Sequence, residues 1–528
     1  MMKKGNKLTM LILLFFLISV FFPLLEMLRI VKWSLFGTLV SSKAFKESLM
    51  NSLFVSSIAT IISVMISYIL AFTLNRTNIK RRALLKVMLT LPMIIPSISI
   101  GLGLINLFGK NGIVSSIFDF NIIGSSGIIL GSILYSFPVS FLMLDDGFNY
   151  IDNTMYDTAK VLGLNQWQTF KKITLCYMKK PLLSSLFAVF TLIFTDYGVP
   201  LSVGGKFITL PVFLYKEVIG LLDFSKGTLI GLFLLIPAFV SFIFDNFSKD
   251  YTRGEIEGKK YRIVNNKIRD KVFTIFTYFI IFCVLLIISS FVYYAFIDNV
   301  VLNPDISFKH FEYVINNNIF KYIFNSLFIS IMVAIIGTIL AYFAAYVTAR
   351  IKGYGSKLIH ILMISSLAIP GMVLGLSYTI GFNNSFIYNT FIILILVNII
   401  HFIASPYLMA YNALQKVNQN YEVVAKTCNI SLFKIIKDVI IPCTKVTIRE
   451  MFAYFFVNSM VTISAIAFLF NTKTMPLSLI INNYEGSFMY GEAAIVSLII
   501  LTFNVLVKGI IYLINRIEDR RKKYEVKY

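Results

Sequence analysis

Two polar segments, 266 residues apart, hold the side chains best suited to recognising a partner protein. The first segment offers Asp157, Thr158, Ala159, Gly163, Trp167, Ile173 and Leu175. The second segment offers Glu422, Ala425, Asn429 and Pro442. Small residues and a glycine let a short helix and the turn after it sit tightly in a cleft, while flanking cations and Trp167 add contacts around it. The predicted chemistry is non-covalent binding, and two amphipathic helices at a membrane surface are the alternative.

A second group of residues could line a path for a polar solute, namely Pro96, Asp196, Gly198, Pro370, Thr462 and Ser464. From Leu182, 14 residues of helix reach Asp196 after about 21 Å, which places this carboxylate in the outer third of a bilayer. An unpaired carboxylate facing lipid at that depth is costly, so Asp196 should face the protein interior or a water-filled path. The alternative is that Asp196 caps a helix end at the interface.

Prolines and glycines are expected to shape the helices beside this path. Kinks are predicted at Pro92, Pro96 and Pro370, and close helix approach at Gly101, Gly103 and Gly375. Ordinary packing explains each of these residues equally well.

The sequence contains little that could make or break bonds. It has no GxxxxGK[ST] phosphate-binding loop, no CxxC pair among its 4 cysteines, and only 3 widely spaced histidines. We therefore predict no catalytic residue, no resident metal and no cofactor. If ATP drives movement of a solute along the path, a separate polypeptide must hydrolyse the ATP.

The composition is that of an integral membrane protein. Hydrophobic residues make up 57% of the 528 positions, charged residues only 14%, and the mean hydropathy is +0.80. Apolar runs long enough to cross a bilayer occur near 8–25, 49–74, 84–108, 125–147, 182–200, 227–247, 272–297, 322–348, 358–381, 388–411, 450–470 and 493–514. The prediction is an all-α polytopic membrane protein with about twelve transmembrane helices, the first of them retained.

The chain repeats itself. Asn51-Ser-Leu-Phe54 recurs as Asn325-Ser-Leu-Phe328, an offset of 274 that also carries Pro96 onto Pro370. An offset of 266 then relates Ala159-Lys160 to Ala425-Lys426. Two such registers predict two homologous six-helix halves, 1–248 and 272–528, joined by a charged linker, 249–271, and they suggest a two-fold path through the bilayer.

The net charge of +22 reports membrane orientation rather than nucleic-acid binding. About three quarters of the 48 lysines and arginines fall in loops on the side that carries the N-terminus, as the positive-inside rule requires of cytoplasmic loops. We therefore expect a multi-pass protein of the cell membrane, with both termini, the linker and both polar segments in the cytoplasm.

The first polar segment resembles the cytoplasmic signature of binding-protein-dependent ABC importer permeases: Glu-Ala-Ala, three residues, Gly, nine residues, Ile-x-Leu-Pro. Here Asp157 replaces the Glu, Thr158 the first Ala and Cys176 the final Pro. In the second segment Val423, Val424 and Ala425 stand at the Glu-Ala-Ala positions, Asn429 at the glycine, and Val439-Ile-Ile-Pro442 keeps the ending. Asn can adopt a left-handed conformation, whereas Glu422 lies one position out of register.

Further resemblance covers nearly the whole chain. Phe194-Thr-Asp-Tyr-Gly-Val-Pro200 and Ser459-Met-Val-Thr-Ile-Ser-Ala465 resemble segments of fused permeases of the ferric-iron and 2-aminoethylphosphonate class. The resemblance implies partners: an ATP-binding subunit, taken as a homodimer, and an external substrate-binding protein that would dock on loops including 201–226 and 471–492. A self-contained twelve-span secondary transporter is the rival class, although few ionisable residues lie in mid-span positions to relay a proton or sodium ion. An integral membrane enzyme is a third class, but the sequence shows no paired acids to carry out the chemistry.

Overall fold

The protein is almost entirely helical. The computed structural model describes residues 2–110, 112–114, 122–247, 261–263, 265–299, 303–351, 353–418 and 420–525. The first part of the chain contains α1 (Met2–Phe16), α2 (Phe22–Arg29), α3 (Leu35–Ser41), α4 (Lys43–Arg76), α5 (Arg82–Leu89), α6 (Ser97–Phe108), α7 (Ser125–Asn149), α8 (Asn153–Val161), α9 (Gln166–Thr169), α10 (Leu175–Phe194), α11 (Gly198–Val203), α12 (Leu210–Tyr215) and α13 (Phe224–Phe247).

The second part follows a similar order of elements, with a pair of strands after its first helix. It contains α14 (Lys267–Phe296), the antiparallel strands β1 (Ile297–Asn299) and β2 (Asn303–Ile306), α15 (Lys309–Asn316), α16 (Ile319–Arg350), α17 (Tyr354–Ser365), α18 (Gly371–Gly381), α19 (Phe391–Phe402), α20 (Ala404–Lys416), α21 (Asn420–Thr427), α22 (Leu432–Ile435), α23 (Ile441–Val461), α24 (Leu477–Gly486) and α25 (Tyr490–Glu525). Turns of π-helix span Leu17–Phe21, Phe170–Thr174, Lys216–Gly220 and Ile436–Ile440, and 3-10 turns span Leu91–Ile94 and Ser366–Ala368.

The all-helical membrane fold is confirmed, with fewer uninterrupted spans than the sequence suggested. Within the described residues, 8 helices are long and apolar enough to cross a membrane, or up to 10 if each of two bent helix pairs is one span. The predicted run 84–108 is divided between α5 and α6. The run 450–470 overlaps α23, which carries Lys445, Arg449 and Glu450.

Most of the predicted linker 249–271 lies outside the described residues. Its described parts are 261–263 and 265–271. Helix α14 already begins at Lys267, because the Asn266 side chain accepts a hydrogen bond from the Arg269 amide at 3.1 Å and caps the helix there.

The repeated tetrapeptides perform the same structural task in both halves. In α4, the Asn51 side chain donates to the carbonyl two residues before α12 at 3.0 Å, and the Ser52 hydroxyl accepts from the first amide of α12 at 2.7 Å. In α16, Asn325 and Ser326 make the corresponding bonds to the start of α24 at 3.0 and 2.7 Å. Each pair satisfies backbone groups that a buried helix start would otherwise leave unpaired.

The first helices of the two halves pack on the opposite half. In the N-terminal segment, the Ser19 carbonyl accepts a hydrogen bond from the Tyr378 hydroxyl of α18 at 2.6 Å. In return, α14 lies against α6, where a Cβ placed on Gly103 would stand 2.5 Å from the Ile287 side chain. The exchange joins the halves at two separate places.

The predicted glycines are sites of close approach, to helices at Gly101 and Gly103 and to a turn segment at Gly375. A Cβ on Gly101 would lie 2.6 Å from Ser202 of α11, and a Cβ on Gly375 would lie 2.6 Å from the carbonyl oxygen of Ala465. These two glycines occupy matching positions in the repeat and meet matching segments of their own halves.

Candidate functional site

The first polar segment forms a short helix that ends in a Schellman motif. Helix α8 begins where the Asp152 carboxylate accepts from the Thr154 amide at 3.1 Å. At its end, the Gly163 amide donates to the Lys160 carbonyl at 3.1 Å, and the Leu164 amide donates to the Ala159 carbonyl at 3.0 Å. These are the two bonds that define the motif, and they require a left-handed residue at the glycine position. Gly163 meets that requirement with φ of +68°.

The second polar segment ends in a corresponding turn without a glycine. After α21, the Ile430 amide donates to the Ala425 carbonyl at 2.8 Å, and Asn429 has φ of +55°. The left-handed conformation predicted for Asn429 is therefore confirmed. Ala159 and Ala425 are both buried beneath their turns, which explains why the motif requires a small residue four positions before the left-handed one.

The residues that follow the left-handed turn also form the same elements in both segments. The Asn165 and Gln168 side chains form a reciprocal capping box at the start of α9. Ser431, 266 residues further on, accepts from the Lys434 amide at 3.4 Å. A π-helical turn follows each short helix and leads directly into α10 or α23. Such turns often mark functional sites, because the extra residue locally widens the helix.

Both segments expose apolar side chains outside the long apolar helices. Val161 is 87% exposed and Trp167 is 70% exposed, with Trp167 stacked on Phe170 at a ring distance of 5.7 Å. In the second segment, Val423 and Val424 are each more than half exposed. Exposed apolar groups at a helix and turn of fixed geometry can bind a complementary protein surface.

The remaining predicted residues of these segments have varied surroundings. Asp157 and Thr158 are exposed, and the Asp157 carboxylate accepts from the Asn153 side chain at 2.8 Å. Ile173 and Leu175 lie at the junction of the π turn with α10, and Pro442 lies in the first turn of α23.

Unlike the exposed Asp157, Glu422 is half-buried beside an arginine. Its carboxylate lies 3.6 Å from Nε of Arg350, whose side chain is 3% exposed. In the 266-residue register, Glu422 corresponds to Tyr156, the residue before Asp157. Its position beside a buried guanidinium was not evident from the sequence, because the two residues lie 72 positions apart.

Asp196 caps the short helix α11. Its two carboxylate oxygens accept from the amides of Gly198 and Val199 at 3.3 and 3.0 Å, which corresponds to the capping interpretation of this residue. A Cβ on Gly198 would lie 2.2 Å from the Ser97 hydroxyl. Asp196 and Gly198 therefore stand at the start of α6, immediately after Pro96.

The second half brings its corresponding residues together in the same way. Thr462 ends α23, and its carbonyl accepts from the Ser478 hydroxyl at 2.7 Å. The Ser464 hydroxyl lies 2.4 Å from where a Cβ on Gly371 would stand. Gly371 follows Pro370, so each half joins its proline to the chain that follows the long helix after its polar segment.

The prolines separate neighbouring helices rather than kink one continuous helix. Pro96 and Pro370 directly precede α6 and α18, with ψ of 144° and 143°, and the two helices flanking Pro370 diverge by 107°. The residues before them, Ile95 and Ile369, are extended, as a following proline requires. Pro92 lies in a 3-10 turn. The predicted kinks at all three are thus replaced by breaks between separate elements.

Polar contacts between the halves were missed by the sequence analysis. The Ser202 hydroxyl of α11 donates to the Glu485 carboxylate of α24, whose second oxygen has no hydrogen-bond partner among the described residues. The hydroxyls of Ser99 and Ser497 lie 2.8 Å apart between α6 and α25. In the sequence, Glu485 falls within the predicted external loop 471–492, and nothing near it indicates a contact with the other half.

Comparison with known proteins gives matches in both halves. Residues 63–303 and 337–518 each match the family described as "Binding-protein-dependent transport system inner membrane component". The putative ferric transport system permease protein FbpB 1 of Haemophilus influenzae is 26% identical over 448 residues, covering 81% of this chain and 70% of the relative. The ferric transport system permease protein FbpB of Actinobacillus pleuropneumoniae is 25% identical over 489 residues, covering 87% and 71%. The thiamine transport system permease protein ThiP of Haemophilus influenzae is 23% identical over 171 residues, or 31% of this chain and 32% of the relative.

Proposed function

The chain belongs to the inner membrane components of binding-protein-dependent transport systems, and from that premise we propose that its two polar segments bind a separate ATP-binding subunit. It is a permease subunit of an ABC importer rather than a self-contained secondary transporter. We call the segments 153–175 and 420–442 the first and second coupling segments.

The observation that carries this proposal is the pair of left-handed turns at Gly163 and Asn429. Each turn ends a short helix whose buried alanine packs it onto the protein, while valines and Trp167 remain exposed. A pair of rigid, repeat-related surfaces fits two copies of one ATP-binding subunit. ATP-driven closure of that dimer would move both segments and rock the halves between outward-open and inward-open states.

The distribution of positive charge supports an orientation. Lysines and arginines concentrate in the loops that include both coupling segments and in the linker. We therefore place these parts and both termini in the cytoplasm, and the external binding protein on the opposite face, over loops that include 201–226 and 471–492.

Ferric iron is the substrate that the relatives favour. The two ferric permeases align over 81% and 87% of this chain, whereas the thiamine permease aligns over 31%. We place the path between the halves, beside Asp196 and Glu485, because carboxylates suit a hard cation or its oxygen-rich chelates. A 2-aminoethylphosphonate-like solute is the second candidate from the sequence resemblance.

Transport by purified components tests the proposal. Proteoliposomes that contain the chain, its ATP-binding subunit and an iron-loaded binding protein should accumulate radioactive Fe(III) only when ATP is present. Parallel assays with thiamine, sulfate and 2-aminoethylphosphonate test the substrate. Accumulation by the chain alone under a proton or sodium gradient would overturn the coupling mechanism.

A further inference from the structure

Both long core helices end in an arginine that reaches beneath a coupling segment. Arg76 ends α4 and Arg350 ends α16, and the two occupy matching positions in the 274-residue register. Arg350 donates to the Val417 carbonyl at 2.7 Å and faces the Glu422 carboxylate at 3.6 Å. In the first half, the position of Glu422 is filled by Tyr156, so Arg76 has no carboxylate from that position.

Three aromatic rings surround Arg76 instead. Its guanidinium carbon lies 5.3 Å from the ring centre of Phe148, 5.4 Å from that of Tyr156 and 4.0 Å from that of Tyr261. Arg76 is buried, and its Nε has no hydrogen-bond partner among the described residues. A buried cation needs compensation. Long hydrogen bonds to the Asn75 and Phe148 carbonyls, at 3.5 and 3.4 Å, and to the Tyr156 hydroxyl, at 3.5 Å, supply part of it, and the ring faces add cation–π attraction. The shortest of the three ring contacts comes from Tyr261.

Tyr261 belongs to the linker, not to either half. Its ring also meets the ring of Tyr156 edge to face at 4.8 Å. The next residue, Arg262, donates its backbone amide to the Asn153 side chain at 2.9 Å, and the same Asn153 donates to Asp157 at 2.8 Å. The described end of the linker therefore touches α8 both at its first residue and at the aromatic face beneath it.

We propose that Tyr261 is a positioning residue that fixes the first coupling segment to the end of α4 through Arg76. The second coupling segment reaches the same result with an ion pair of its own half, so only the first depends on the linker. This inference rests on the proposed coupling function. It assigns the linker a role in force transmission. Movement of α8 is passed through the edge-to-face rings of Tyr156 and Tyr261 and the Arg76 guanidinium to α4, and α4 packs against α7 and α10.

The test compares Tyr261→Ala, Tyr261→Phe and a matched control in the full chain, embedded in nanodiscs. The control is Tyr354→Ala, because Tyr354 follows Arg350 closely and is 90% exposed. Amide hydrogen exchange of residues 153–161 should accelerate on the order of tenfold in Tyr261→Ala, as expected for loss of a desolvated cation–π contact. Exchange in Tyr261→Phe and Tyr354→Ala should stay within about twofold of the parent protein, since both keep the ring over Arg76.

Transport per ATP supplies the second readout. With ATP-binding subunit and binding protein present, Tyr261→Ala should hydrolyse ATP at the parent rate and import several-fold less substrate per ATP. Unchanged exchange in α8, or faster exchange with unchanged import per ATP, would overturn the proposal. If Tyr261→Ala fails to reach the membrane, Tyr261→Leu, which keeps apolar volume without a π face, is judged by the same criteria. The exchange readout needs no ATPase, so it stands even if the coupling segments prove not to bind one.

Discussion

Replacement of Gly163 isolates the contribution of one backbone conformation to coupling. Gly163 has φ of +68°, and a Cβ placed on it would meet nothing within 4 Å. The Cβ of Gly163→Val therefore meets no neighbour, and we expect the effect to come from the backbone conformation. An L-residue in the left-handed region costs about 1–2 kcal/mol, with β-branched side chains at the upper end.

This cost converts directly into a binding defect. If the turn must be formed for the ATP-binding subunit to dock, 1–2 kcal/mol lowers the affinity by roughly 5–30-fold. The second coupling segment provides the matched control, because Asn429 already adopts φ of +55°. Gly163→Asn should consequently lose less than about threefold, since Asn tolerates this conformation.

The assay is the affinity of the purified ATP-binding subunit for the full chain in nanodiscs, together with ATPase activity stimulated by the loaded binding protein. Both variants are compared at equal membrane abundance. Binding of Gly163→Val at the parent affinity would show that the turn is not part of the interface. A loss of affinity in Gly163→Asn as large as that in Gly163→Val would show that the left-handed φ of residue 163 does not cause the binding defect.

Three other variants probe other parts of the structure. Asp157→Ala should reduce uptake more than Glu422→Ala at matched abundance, and an equal or larger uptake defect from Glu422→Ala contradicts this ranking. Only Glu422→Ala should lower the free energy of unfolding, by roughly 3 kcal/mol, because it leaves the buried Arg350 guanidinium without its counter-charge. The hydrogen bond between His310 and Glu492, at 3.0 Å, raises the pKa of His310. The pair therefore stabilises the folded protein fully below about pH 6.5, and this contribution to the free energy of unfolding is lost as the pH rises through the raised pKa. His310→Gln should therefore lower the melting temperature more at pH 5.5 than at pH 9, and an equal shift at both pH values contradicts the charged pairing. Ser326→Ala should cost about 1–3 kcal/mol, because the first amide of α24 loses its acceptor; an unchanged melting temperature would mean that another group replaces the hydroxyl.

Local and repeated features could be predicted from the sequence. The 266-residue register related the two polar segments to each other. The spacing of Ala159 and Gly163 indicated a helix followed by a turn, which the structure has in both segments, even where Asn429 replaces the glycine. These predictions succeeded because the Schellman motif is set by a few consecutive residues. The Asn51 and Asn325 tetrapeptides marked equivalent helices, although their task of holding the segments before α12 and α24 was visible only in the structure.

Contacts between distant segments could not be predicted. Nothing near Glu422 in the sequence indicates Arg350, and nothing near Glu485 indicates Ser202, 283 residues earlier. Within the described residues, fewer helices are long and apolar enough to cross a membrane than the apolar runs suggested, because hydropathy does not detect where a helix stops. The break at Pro370 leaves both flanking segments apolar, so the run 358–381 had the composition of a single span.

The reciprocal packing of α1, α2 and α14 has a consequence for biosynthesis. When ribosomes have inserted only the first half, the surface of α6 around Gly103 still lacks α14, and the N-terminal helices still lack α18, their partner through Tyr378. The N-terminal helices therefore gain this contact only after more than 300 further residues have been synthesised.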